Sequence, residues 1–114
     1  MSDFDLFHNE LADDLTREYG ELLELGLHHD NIVQVLLERY DSRLENGLQQ
    51  VVFWLSLAKI QVLLELAEDK PALHPAVRDN TIAIIRELIV RNEPIYQEHK
   101  EDLDDILEDL VKRL

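Results

Sequence analysis

His28 and His29, followed directly by Asp30, are the nearest approach to a ligand cluster in this chain of 114 residues. Imidazole nitrogens and a carboxylate are donors that zinc and related metals accept. Adjacent residues on a helix point about 100° apart, so the two rings share a metal only if a loop holds them. The other reading is an interhelical loop with a cap, and both stand at this point. His8 near Asp13 and Asp14, His74 between two prolines, and His99 on an apolar stripe have no partner motif. Structural roles suit them, and His99 fits a half-buried position on its stripe. Di-iron bundles need Glu-x-x-His, yet no Glu precedes a His by three residues. The calcium-loop pattern with its central glycine is missing as well. Ser42 and Ser56 lack an adjacent base and nucleophile-elbow glycines, cysteine is absent, and the three glycines form no phosphate cradle. These residues predict a protein that is not an enzyme and takes no cofactor.

Carboxylates are the abundant chemistry. Twenty-five acids against eleven bases leave a net charge of −14. Residues 1–30 hold nine acids and one base, and 93–114 hold eight and three, so the ends carry almost the whole surplus. Glu10, Asp14, Glu18 and Glu21 fall at steps of three and four in the first segment, as do Glu101, Asp105, Glu108 and Asp109 in the last. Each set therefore crowds one helix face. Such a face is either a solvated surface or one kept for a cationic partner. Direct nucleic-acid binding needs a basic patch. The mildly basic stretch with Arg78, Arg86 and Arg91 is too small for one, and it suits internal pairing with the acidic helices.

A length of 114 residues predicts a single domain, and 46% hydrophobic content is too much for a disordered acidic tail. Without cysteine there are no disulfides, and the cytoplasm is the expected compartment. The start Met-Ser-Asp-Phe-Asp lacks the features of a signal peptide. Val51–Leu66 reads as too short for a membrane span and is interrupted by Lys59, Gln61 and Glu65, so a buried helix is expected.

Helical spacing runs through the sequence. Phe4, Phe7, Leu11, Leu15, Tyr19 and Leu22 make one apolar stripe over residues 4–25, stopped by Gly26. Asp30 is the expected N-cap of a second helix of about fifteen residues, with Ile32, Val33, Leu36, Leu37, Tyr40 and Leu44 inward and Asn46-Gly47 as its end. Residues 48–67 are apolar nearly all round, which places this third helix at the centre of a bundle. Residues 68–75 form a proline loop, and Pro75 opens a fourth helix that turns Val77, Thr81, Ile84, Ile85, Leu88 and Ile89 inward. From about Pro94, Tyr96, His99, Leu103, Ile106 and Leu110 form a last amphipathic stripe, which suits packing on the bundle or a homodimer seam. The fold expected is an all-α, single-domain bundle of four or five helices.

Over residues 9–88 the chain resembles a widespread group of small helical bacterial proteins with a domain of unknown function. The resemblance is carried by Asp13-Asp14, the run Val35-Leu36-Leu37-Glu38-Arg39-Tyr40, the run from Val52 to Gln61, and Pro75-Ala76-Val77-Arg78-Asp79 ahead of Ile84-Ile85. The Trp-Gly-rich opening of that group is absent, and Val62-Leu63-Leu64-Glu65 stand where it has Trp, Gly and Arg. The resemblance implies a bacterial source and a helical fold, with no activity attached. Charge and fold together lead to an expected non-enzymatic protein-binding protein: an immunity or inhibitor protein that covers a basic partner such as a toxin nuclease. The alternatives are a phage-type mimic of nucleic acid that blocks a DNA-binding enzyme, and a structural helical oligomer kept soluble by its acidity.

Overall fold

The computed structural model describes residues 9–45 and 47–114, so Phe4, Phe7, His8 and Asn46 lie outside it. Among the described residues there are six α-helices, one 3₁₀ turn and no strand. The helices are α1 (Glu10–Glu24), α2 (His29–Tyr40), α3 (Gly47–Glu68), α4 (Pro75–Arg91), α5 (Pro94–Glu98) and α6 (Lys100–Lys112). The all-α class expected from the spacing is the class observed. The chain divides into two compact units, one running to His74 and the other from Pro75 to Leu114.

In the first unit, α1 starts where Asn9 Oδ1 accepts the Ala12 amide at 3.0 Å, which satisfies an otherwise orphaned donor. Its end is a glycine stop. Gly26 has φ +87°, its amide donates to Leu23 O and the Leu27 amide donates to Leu22 O. The cap of α2 differs from the expected one. His28 precedes the helix and its Nδ1 accepts the Asp30 amide at 3.4 Å, which puts Asp30 inside the first turn rather than at the cap. Helix α2 is also shorter than fifteen residues: it ends at Tyr40, and Asp41–Glu45 tighten into the 3₁₀ turn. Gly47 opens α3 instead of closing α2.

Helix α3 has 22 residues, so its length and composition alone would let it span a bilayer, contrary to the expectation from Val51–Leu66. Its buried run distinguishes it: seven consecutive residues from Val52 to Ala58 are enclosed. Burying each large side chain of that run contributes roughly 1.5–3 kcal/mol before entropy is subtracted. Phe53 meets Trp54 edge-on at 5.2 Å and Tyr40 at 6.1 Å. Within this unit α3 lies against α1 and the 3₁₀ turn. The second half of α3 departs from the expectation of burial all round, for Leu63 and Leu66 are exposed.

In the second unit, α4 turns Val77, Thr81, Ile82, Ile85 and Leu88 inward, while Ile84 and Ile89 are only half-buried. Asn92 ends α4 in the left-handed region (φ 52°), with the Glu93 amide returning to Leu88 O. The last stripe is broken at His99 (φ −121°, ψ 28°) into α5 and α6 rather than running as one helix. Helix α6 packs on α4, and Leu103 and Leu110 are buried.

Candidate functional site

The carboxylates of α6 stand opposite its buried leucines. Successive residues turn about 100°, which stacks Glu101, Asp105 and Glu108 on one line roughly half a turn from Leu103 and Leu110. All three are exposed. Glu108 meets Lys112 at 3.3 Å and the half-buried Asp109 meets Arg113 at 3.3 Å, while Glu101 and Asp105 make no ion pair with a described residue. Pairs this exposed are worth little and leave the field of the stripe largely intact. Next to it, Asp104 accepts hydrogen bonds from Lys100 Nζ at 2.7 Å and Tyr96 Oη at 2.8 Å. Those donors hold its carboxyl below the usual range, and the bond to Asp104 raises the Lys100 ammonium.

On α1 the four acids divide. Glu10 and Glu21 are exposed, and Arg17 reaches Asp14 at 3.6 Å and Glu21 at 3.8 Å. Glu18 is turned inward instead. Its carboxylate takes Arg39 at 3.3 Å and the Tyr40 hydroxyl, tying α1 to α2, and only 19% of its side chain is exposed. The cause is angular, for at about 100° per residue Glu18 borders the buried line of Leu11 and Leu22. The arginines of α4 pair locally rather than with the acidic faces. Arg78 holds Asp79 at 2.9 Å, Arg91 holds Glu87 at 2.8 Å, and Arg86 makes no ion pair with a described residue. One contact does reach past α6, from Arg78 to the carbonyl of Arg113.

A buried polar chain in the first unit goes beyond what the sequence pattern suggests. Gln61 is fully enclosed on α3; its Oε1 accepts the His74 amide at 2.9 Å and its Nε2 donates to Tyr19 Oη at 3.1 Å. The first bond fixes which end of the amide is oxygen, and the second leaves the Tyr19 hydrogen to point at His29 Nδ1, 2.6 Å away. Burial pushes the Tyr19 hydroxyl up to about 12. One turn further along α3, Glu65 accepts the amides of Ala72 and Leu73 at 2.9 and 2.8 Å. Three successive loop amides are thus satisfied by two α3 side chains. The available signal is the polar pair Gln61 and Glu65, spaced one turn apart in an otherwise apolar helix, since a buried polar group needs a partner.

The described histidines are spread over separate contacts. His28 and His29 have ring centroids 6.1 Å apart, His29 Nδ1 is taken by Tyr19, and Asp30 sits 3.4 Å from His74 Nε2 and 3.7 Å from His28 Nδ1. No group of three or more metal-ligating side chains occurs among the described residues. Between α1 and α3 runs an open groove of about 520 Å³, walled by Ala12, Asp13 and Thr16 on one side and Ser56, Ile60 and Leu63 on the other.

Fold and surface define an all-α helical protein with one-sided carboxylate faces. The chain matches no protein-family model, no curated protein and no solved structure. The resemblance over residues 9–88 therefore lends no residue a role.

Proposed function

We propose that this chain is a non-enzymatic, cytoplasmic protein-binding protein that covers a basic surface on its partner, in the manner of an immunity or inhibitor protein on a toxin nuclease. The observation that carries the reading is the α6 stripe of Glu101, Asp105 and Glu108, exposed along one line while Leu103 and Leu110 are buried on the other. Like charges one turn apart disfavour a helix by a few tenths of a kcal/mol per pair, so the fold gains nothing from keeping them together. Glu10 and Glu21 present two further exposed carboxylates on α1, with the half-buried Asp14 between them. In a chain of net charge −14 these faces accelerate encounter with a cationic protein.

The test is a pull-down from host lysate at low and high salt, followed by stopped-flow association with the basic protein retained. Changing Glu101, Asp105 and Glu108 together to Lys lowers the association rate at low salt by about tenfold or more and flattens its salt dependence. An unchanged rate removes the reading.

A further inference from the structure

We infer that His29 works a proton-driven latch: when its ring gains a second proton, the hydrogen-bond chain through Tyr19 and Gln61 reverses and lets go of the loop at His74. The latch is independent of the acidic faces.

Each link of the chain has one direction while the ring is neutral. The His74 amide can only donate, so the Gln61 atom 2.9 Å away is Oε1, and the other end of the amide donates to Tyr19 Oη at 3.1 Å. Tyr19 is 1% exposed, and its own hydrogen turns to its other neighbour, His29 Nδ1 at 2.6 Å. A ring nitrogen that accepts a hydrogen bond carries no proton, which assigns His29 the form with its hydrogen on Nε2.

A second proton goes to Nδ1, which then donates instead of accepting. His29 is half-buried, so solvent supplies that proton. The Tyr19 oxygen takes the new bond, and the Tyr19 hydrogen needs another acceptor. Gln61 supplies one when its amide turns over and brings Oε1 to Tyr19. Turning over also sets Nε2 against the His74 amide, donor against donor, and that bond is lost. Two arrangements of one chain thus exist, and the charge on His29 selects between them. Glu65 holds the neighbouring amides of Ala72 and Leu73 through its own carboxylate, outside the chain, so release is confined to His74. The charged groups around the ring are His28 and Asp30 on α2, His74, whose ring meets Asp30 at 3.4 Å, and Glu68 on α3, whose charge, like that of Asp30, reaches Tyr19. The two carboxylates attract the incoming proton, and the other imidazoles repel it once they are charged.

The test is NMR on the whole protein between pH ~8 and ~5, the span in which an imidazole changes charge. Ring nitrogen shifts of His29 follow its proton. Amide exchange, corrected for the intrinsic rate at each pH, follows His74 in the same samples. Protection of the His74 amide falls about tenfold as His29 takes up its proton, while Ala72 and Leu73 keep theirs. Tyr19→Phe interrupts the relay, so His74 stays protected and its protection no longer varies with pH. His29→Asn offers an acceptor without a charge and gives the same flat profile. His74 protection that is unchanged across the His29 titration, that falls in Tyr19→Phe as well, or that is lost together with Ala72 and Leu73 overturns the latch. A His29 ring that stays neutral down to pH ~5 overturns it too.

Discussion

Replacing Gln61 by Leu keeps a side chain of similar volume in α3 and removes both ends of one amide. Two partners lose a bond: the His74 amide, 2.9 Å from Oε1, and the Tyr19 hydroxyl, 3.1 Å from Nε2. Tyr19 is 1% exposed and Gln61 0%, so water has no ready access to the Tyr19 hydroxyl. The Tyr19 hydroxyl keeps its bond to His29 Nδ1, so the His74 amide is the group left without its acceptor, at a cost of about 1–3 kcal/mol. Removal of the unfavourable burial of the amide itself offsets a part, which places the expectation toward the lower end. Urea unfolding followed by Trp54 fluorescence measures the loss, and Tyr19→Phe completes a double-mutant cycle. The singles sum to more than the double by about 1 kcal/mol, because both remove the same bond. Hydrogen exchange at the His74 amide speeds up in Gln61→Leu and not in Tyr19→Phe. Additive energies, or a Gln61→Leu protein as stable as the parent, would refute the claim that this chain of bonds holds the loop to α3.

Trp54→Ala, at a side chain 8% exposed and edge-on to Phe53, lowers stability by about 3–5 kcal/mol, read from urea midpoints followed by circular dichroism. Tyr19 gives a pH signature in the alkaline range. Its hydroxyl titrates at about 12 in the fold and near 10 when unfolded. The neutral form is thus favoured by folding, so its contribution is complete below pH ~10 and lost as the pH rises toward ~12, by about 2–3 kcal/mol in all. The difference in unfolding free energy between the parent and Tyr19→Phe isolates this slope, and a constant difference across that range contradicts it. Asp104 acts in the opposite direction. Its lowered carboxyl pKa stabilises above the unfolded value and is lost as the pH falls through the acid range, so Asp104→Asn flattens the acid limb of the stability curve.

The helices are legible because burial on one side writes a period of 3.6 into the sequence. Leu11, Leu15, Tyr19 and Leu22 are buried as their spacing predicts, and Pro75 opens α4 as its missing amide allows. The boundaries are less legible. Asp30 is a strong capping type, yet His28 takes the position, and nothing local in Asp41–Glu45 announces a tighter turn. Composition also overstates α3, since an apolar helix is central only as far as neighbours cover it, and coverage stops short of Leu63 and Leu66.

Charge shows the same division between what spacing encodes and what packing decides. Steps of three and four group eight carboxylates, and the grouping is sound on α6, where Glu101, Asp105 and Glu108 all face outward. On α1 it fails at two members, Asp14, half-buried beside Arg17, and Glu18. Glu18 satisfies the same arithmetic as its neighbours, but it lies at the edge of the buried line, where the Tyr40 hydroxyl and Arg39 from α2 claim it. A period alone cannot separate a carboxylate that meets solvent from one that meets another helix, because both stand a turn from the next acid. The discriminating quantity is the angle to the nearest buried leucine, which follows from the sequence once the apolar stripe is assigned. Applied to α6, the same angle singles out Asp109, the member nearest the buried side and half-buried beside Arg113. By the same measure Asp14, half-buried beside Arg17, drops out on α1, and the solvent-facing set contracts to Glu10, Glu21, Glu101, Asp105 and Glu108. Glu18→Lys then lowers stability, whereas Asp105→Lys leaves stability unchanged and, on the proposed reading, slows association.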